Sequence, residues 1–273
     1  MIYTPQHLQK LYAGFCNTPT LWTEDDVFEL KQLQIENCSD RFKKPQKRRL
    51  RLGQLAEQFV FNQIETTSNL ELLAQNIQIQ NQQLTVGELD AIIKMESKPI
   101  HLEIVYKFFL YDDKVADSGL GNWIGPNRRD SLMEKLEKLS EKQLPLLYSK
   151  FTRPYLEALK LKAVEISQFV IFKAQLFTPY NKIIHFSDLN PKAHYGHYFR
   201  LSQLMELQSQ SVGGKFYIPK KIDWFLKPEV QVEWLSFKVF RNKAKDFLNE
   251  KRAFMFWMKR PNGLLSKNFL VWW

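Results

Sequence analysis

Four charged side chains within residues 86–111 have the types and spacing of a chemical site: Glu88, Asp90, Glu103 and Lys107. The stretch reads Val86-Gly87-Glu88-Leu89-Asp90, an apolar-leaning run, a polar turn at Glu96-Ser97-Lys98-Pro99, then Ile100-His101-Leu102-Glu103-Ile104-Val105-Tyr106-Lys107-Phe108-Phe109-Leu110-Tyr111. Both arms are β-branched or aromatic with turn residues between them, which predicts a β-hairpin. Strand alternation puts Glu88, Asp90 and Ile92 on one side of the first arm and Glu103, Val105 and Lys107 on one side of the second. The other side of the second arm, Leu102, Ile104, Tyr106 and Phe108, is apolar. Unpaired ions in such a run cost on the order of several kcal/mol each. Two readings answer that cost: a structural Glu103–Lys107 salt bridge, or a site for a hard cation. Mg²⁺ is held by one or two carboxylates plus water and substrate phosphate. Asp90 and Glu103 supply that number, and Lys107 could orient a water or stabilise charge on a phosphate.

The charge distribution suggests what would meet such a site. The formal charge is +10, concentrated at the two ends. Between Arg41 and Arg51 there are seven bases in eleven residues, and from Lys215 onward thirteen bases face five acids. An acidic cluster between basic flanks suits a polyanion brought to a metal; the plainer reading is that basic faces keep a protein soluble. The arm containing Lys47, Arg48, Arg49 and Arg51 is the simplest candidate for phosphate contact.

The hairpin also carries a resemblance. Gly87-Glu88-Leu89-Asp90, twelve residues, Glu103, three residues and Lys107 resemble the core of the PD-(D/E)XK nuclease superfamily. The wording His101-Leu102-Glu103-Ile104-Val105-Tyr106-Lys107-Phe108 is similar to an uncharacterised bacterial domain-of-unknown-function family, numbered 1853, grouped with those nucleases; residues 15–22, with their Pro19 break, resemble its opening. The resemblance implies a mixed sheet flanked by helices, Mg²⁺ or Mn²⁺ bound by Asp90 and Glu103 with Glu88 assisting, and a catalytic lysine. The superfamily's usual lysine lies two residues after the acid, where this chain has Val105; Lys107 is two residue rises, ~7 Å, further along. The resemblance further implies that Glu57, on the first core helix, joins the metal site, and that Gln143, with Tyr148, lies at the site's edge on the helix after the catalytic strand.

Several elements must position these groups. Residues 50–65 place Gly53, Glu57, Val60, Phe61 and Ile64 at helical spacing, so Glu57 is an acid in apolar company; a boundary acid bonded to Arg51 is the alternative. Residues 70–79 read as a first strand. Residues 112–127, with Gly119, Gly121, Gly125 and Pro126, read as a loop in which Trp123 could stack on a base or simply connect. Asp130 is placed to cap a helix over residues 130–147, with Leu132, Leu136, Leu139, Gln143 and Leu146 on one stripe and Lys135, Lys138 and Lys142 on another. Gln143 there is either satisfied by backbone or turned to the site, and Lys135 is a candidate nucleic-acid contact. Residues 165–177 complete the sheet. Upstream, Leu8, Leu11, Tyr12 and Phe15 predict a helix, and residues 25–33 a second. Downstream, residues 231–252 suit a helix and residues 253–273 a hairpin turning at Pro261-Asn262-Gly263.

The expectation is an α/β protein with a mixed central sheet flanked by helices, a restriction-endonuclease-like core over residues 45–187, an N-terminal helical cap over 1–44 and a basic α+β extension over 188–273. Two cysteines exclude a disulfide framework and zinc spacing, and His194-x-x-His197 lacks further ligands. No membrane-length apolar run and no signal-peptide order are present, which predicts a cytoplasmic protein without a membrane partner. The expected activity is metal-dependent phosphodiester hydrolysis on nucleic acid, DNA before RNA. The alternatives are a nucleic-acid-binding protein that keeps the fold without the chemistry, and an interaction scaffold using the aromatic C-terminal segment. The oligomeric state is not legible in the sequence.

Overall fold

The structure, a computed structural model, describes residues 3–23, 27–36, 38–46, 48–116, 119–186, 188–204, 206–207 and 213–273. Among these, nine strands form one mixed sheet in the order β1-β2-β3-β5-β6-β9-β8-β7, with β4 paired to β3. The strands are β1 (Leu70–Asn81), β2 (Leu84–Met95), β3 (Lys98–Tyr111), β4 (Trp123–Ile124), β5 (Ser167–Pro179), β6 (His194–Arg200), β7 (Lys215–Tyr217), β8 (Phe254–Lys259) and β9 (Leu265–Val271). The α-helices are α1 (Pro5–Cys16), α2 (Leu52–Glu65), α3 (Leu132–Lys138), α4 (Arg153–Ala158) and α5 (Phe237–Asn249). Among the described residues no helix is long and apolar enough to cross a membrane.

The chain forms two compact units, each gathered from three stretches. The first comprises Met1–Ala13, Thr20–Tyr106 and Glu134–Lys173; the second comprises Gly14–Pro19, Lys107–Met133 and Ala174–Trp273. In the first unit β1, β2 and β3 form an antiparallel meander, joined by turns at Gln82-Gln83 and Glu96-Ser97. Gln82 and Glu96 both take positive φ, as tight hairpin turns demand. β3 lies between β2 and β5 and is buried along nearly its whole length, which accounts for its continuous apolar run. On α2, Leu55, Ala56, Phe59, Val60 and Ile64 are buried, and the Phe59 ring meets Tyr12 and Phe42 at 5.4 and 5.0 Å. Side chains of this size contribute about 1.5–3 kcal/mol each when removed from water.

The helix expected over residues 25–33 does not form in its described part. Phe28 and Glu29 adopt positive φ, closing a turn between Val27 and Leu30, and the chain then runs extended along β5. Val170 N–H donates to Lys31 O and Leu33 N–H to Val170 O, both at 2.8 Å. Backbone pairing with a strand wins over a helical apolar pattern only nine residues long. The expected helix over 130–147 is broken too. α3 ends at Lys138, Leu139–Gln143 form a π-turn in which Leu144 N–H bonds Leu139 O at 2.9 Å, and Pro145–Tyr148 form a 3₁₀ turn. Pro145 has no N–H and its ring clashes with the carbonyl four residues back, so an α-helix cannot run through it.

In the second unit β6 runs parallel to β5 and β9, while β7, β8 and β9 are antiparallel, with the β8–β9 turn at Pro261-Asn262-Gly263. α5 is capped by Ser236, whose hydroxyl accepts from Val239 N–H, and it buries Phe240 stacked on Phe216 at 4.5 Å. Lys267 is buried here, its ammonium donating to Trp224 O and Leu226 O; burial pushes its pKa well below the ordinary lysine value. His194 and His197 share the Thr178 hydroxyl, each at 3.1 Å.

Candidate active site

The acidic cluster lies in the first unit, where β2 and β3 stop pairing. Their register runs from Met95↔Lys98 to Ala91↔Leu102, and Asp90 and Glu103 are the next residue on each strand. At that point Asp90 Oδ2 accepts the Ile104 N–H at 2.8 Å. A carboxylate thus occupies a place where a strand carbonyl would otherwise accept, and the strands part with their backbone donor satisfied. On its other side β2 stays paired with β1 through Ile77↔Leu89 and Gln78↔Glu88. Asn76 adopts φ 50°, the left-handed region that asparagine tolerates better than most side chains. Its amide donates to Glu57 Oε2 and to Glu88 Oε1, both at 3.1 Å, tying an acid of α2 to an acid of β2. Gln78 donates to the second Glu88 oxygen.

Glu103 is fully buried and held by neutral donors. His101 Nε2 lies 3.1 Å from Oε1, and Gln143 Nε2 donates to Oε2. Gln143 is half-buried on the π-turn, and its own oxygen accepts from Lys135 Nζ at 2.7 Å. On the far side of the imidazole, Gln168 Nε2 lies 3.0 Å from His101 Nδ1 and donates to Leu144 O at 2.6 Å. Burial pushes the His101 pKa down to about 4, so the ring is neutral at physiological pH.

Electrostatically the cluster is crowded. Glu57, Asp90 and Glu103 each have pKa values pushed up to about 7, first by desolvation. The negative charges of neighbours in the cluster add to this: Asp90, Glu88 and Glu103 act on Glu57, Glu103 and Glu88 on Asp90, and Glu88 on Glu103. Lys135 is the cation that opposes the rise, acting on both Asp90 and Glu103. Carboxylates coupled this way share protons as a group. Among the described residues no group of three or more His, Cys, Asp or Glu is placed to hold a metal ion. Both Glu88 oxygens are engaged by amides.

The residues singled out in the sequence separate as follows. Glu57, Glu88, Asp90, Glu103, Lys135 and Gln143 are brought together. Lys107 pairs with Asp130 at 2.5 Å, and Val105 is buried. Trp123 is not available to stack on a base, because it is 4% exposed, packed edge-on to Tyr111 and stacked on Phe186. Arg48, Arg49 and Arg51 are exposed, and Lys47 lies outside the described residues. Sequence reasoning passed over His101, Gln168 and Asn76. His101 had a signal, since it stands two residues before Glu103 and so on the same strand face.

The fold and site define a mixed α/β protein whose first unit gathers half-buried acids and the buried Glu103 around a strand splay, with Lys135 opposing their charge. The chain belongs to the family described as Domain of unknown function (DUF1853), whose family model matches residues 10–267. No curated protein and no solved structure matches it.

Proposed function

We propose that the first unit is a metal-dependent phosphodiesterase acting on nucleic acid, DNA before RNA, built on a restriction-endonuclease-like core of the PD-(D/E)XK type. The observation that carries this reading is the meeting of Asp90 and Glu103 at the end of β2–β3 pairing, with Lys135 and Gln143 beside them. The donor chemistry fits a hard divalent cation, Mg²⁺ or Mn²⁺, which needs only one or two carboxylates and completes its shell with water and phosphate oxygens. Among the described residues Asp90 Oδ1 has no protein donor, and the raised proton affinity of the cluster is relieved by any bound positive charge. Such a cation, when bound, would polarise a phosphoryl oxygen and acidify a water.

The chain's own residues supply the remainder. Asp90 and Glu103 would hold the cation. Lys135 balances the acids and is positioned to compensate charge developing on a phosphate. Gln143 links Lys135 to Glu103, and Glu57 lies where it could take a proton, its pKa of about 7 matching that task. The exposed Arg48, Arg49 and Arg51 would bind phosphates along the nucleic acid.

A second reading, a nucleic-acid-binding protein without hydrolytic activity, draws on the burial of Val105 and the engagement of Lys107 by Asp130. Cleavage assays on single-stranded and duplex DNA and on RNA, with Mg²⁺ or Mn²⁺, separate the two. Hydrolysis is expected from the native chain, falling about 10²-fold or more in Asp90→Asn and in Lys135→Ala, with a far smaller loss in Lys107→Ala. Salt-sensitive binding with no cleavage of any substrate would favour the second reading.

A further inference from the structure

The two side-chain donors that hold Glu103 are themselves set by a single amide. Gln168, on β5, donates through Nε2 both to Leu144 O and to His101 Nδ1. A carbonyl oxygen only accepts, so the nitrogen end of that amide must face Leu144. The same nitrogen then requires a lone pair on His101 Nδ1, which places the ring proton on Nε2. His101 therefore donates to Glu103 Oε1 at 3.1 Å. Leu144 directly follows Gln143, the donor to Glu103 Oε2. One side chain thus orients the imidazole on one carboxylate oxygen and anchors the turn carrying the donor to the other.

The chemistry of those donors matters as much as their placement. Two carboxylate oxygens offer four acceptor positions, so the His101 and Gln143 donors together with the Asp90 backbone N–H, which also bonds this carboxyl, leave one lone pair free. A lysine or arginine here would fix the carboxylate equally well but would cancel its charge and repel a cation. Neutral imidazole and amide donors fix the carboxylate and leave its charge in place. We propose that His101 and Gln168 are positioning residues for a divalent cation, holding the Glu103 carboxylate in a single orientation while leaving its charge and its remaining lone pair to the metal. The proposal rests on the metal-site reading of the cluster.

Two measurements on the full chain test it. In metal-free protein labelled with ¹⁵N-histidine, the His101 nitrogens should report a neutral ring protonated on Nε2; a proton on Nδ1 would overturn the assignment. Calorimetric titration with Mn²⁺ should then show affinity about 10–100-fold weaker in His101→Leu and in Gln168→Leu. His101→Gln, which returns an amide donor near the Nε2 position, should recover most of the loss. Denaturant unfolding without metal accompanies each variant, and Gln168→Leu together with the spectrum carries the test should His101→Leu fail to fold. Binding in the native chain with unchanged affinity in folded His101→Leu and Gln168→Leu would overturn the positioning role and leave the metal site standing. No binding in the native chain would remove the metal site and this proposal together.

Discussion

Three carboxyl groups whose pKa values sit near 7 make the first unit sensitive to pH in a direction opposite to that of ordinary salt-bridged acids. Between the unperturbed carboxylate values of 3.8–4.5 and about 7, the folded chain holds protons on Glu57, Asp90 and Glu103 that the unfolded chain releases. Their contribution to stability is therefore fully present below the unfolded values and is lost as pH rises through about 7. His101 acts the other way: buried neutral with a pKa near 4, it contributes stability above its unfolded value of 6.5 that is lost as pH falls toward 4. The informative quantity is consequently the difference between the native chain and Asp90→Asn. In metal-free buffer the thermal midpoint of the native chain should fall relative to that of the variant as pH rises from 5 to 8. Millimolar Mg²⁺ should raise the native midpoint more at pH 8 than at pH 5.5, because the acids must lose their protons to bind it. Equal midpoint shifts at both pH values would mean that the acids are not metal ligands.

At the level of elements, the site depends on one strand staying clear of one turn. A Cβ added at Gly87 on β2 would lie 2.6 Å from Leu146 Cδ2, on the 3₁₀ turn that follows the Gln143-bearing π-turn. The obstacle is the far end of a flexible side chain, so Gly87→Ala should cost about 1 kcal/mol, the lower end of overpacking penalties. In a Leu146→Ala background the cost should shrink, and a double-mutant cycle by denaturant unfolding measures the coupling. An additive cycle would mean that Gly87 is not there to admit the turn. This junction also marks where sequence reasoning stops. The β2–β3 hairpin was legible because β-branched and aromatic arms flank the turn residues Ser97 and Pro99. Glu57 was legible as an acid among apolar helical positions. The sequence groups Lys135 with Lys138 and Lys142 on one helical stripe and offers it as a nucleic-acid contact, but carries no sign that it bonds Gln143. The π-turn that brings Gln143 to Lys135 and Glu103 depends on Pro145 and on packing beneath β2, neither of which has a helical period. Asn76 was hidden for a similar reason, as a single left-handed residue inside an otherwise extended strand. Residues 25–33 carried too short a pattern to outweigh the backbone bonds they make with β5.

For the molecule as a whole, on the proposed reading, the formal charge of +10 governs how it would meet a polyanion, while the acidic cluster would act on it. These roles are separable. Phosphate contact is long-ranged and additive, each neutralised phosphate releasing about 0.9 of a counterion on duplex DNA, whereas the cluster depends on burial and lies within one unit. Arg48, Arg49 and Arg51 are exposed in that same unit and outside the carboxylate network. Replacing all three by glutamine should therefore weaken binding to unrelated duplex sequences alike and flatten the salt dependence of the binding constant by about 0.9 per arginine that touches phosphate. Asp90→Asn should leave that slope unchanged and bind at least as tightly, since it removes a negative charge facing the phosphates. Fluorescence anisotropy across a salt series reads both effects. An unaltered slope in the triple variant would take the basic arm out of the interface and move the search for phosphate contacts to the C-terminal bases, where thirteen cations outnumber five acids.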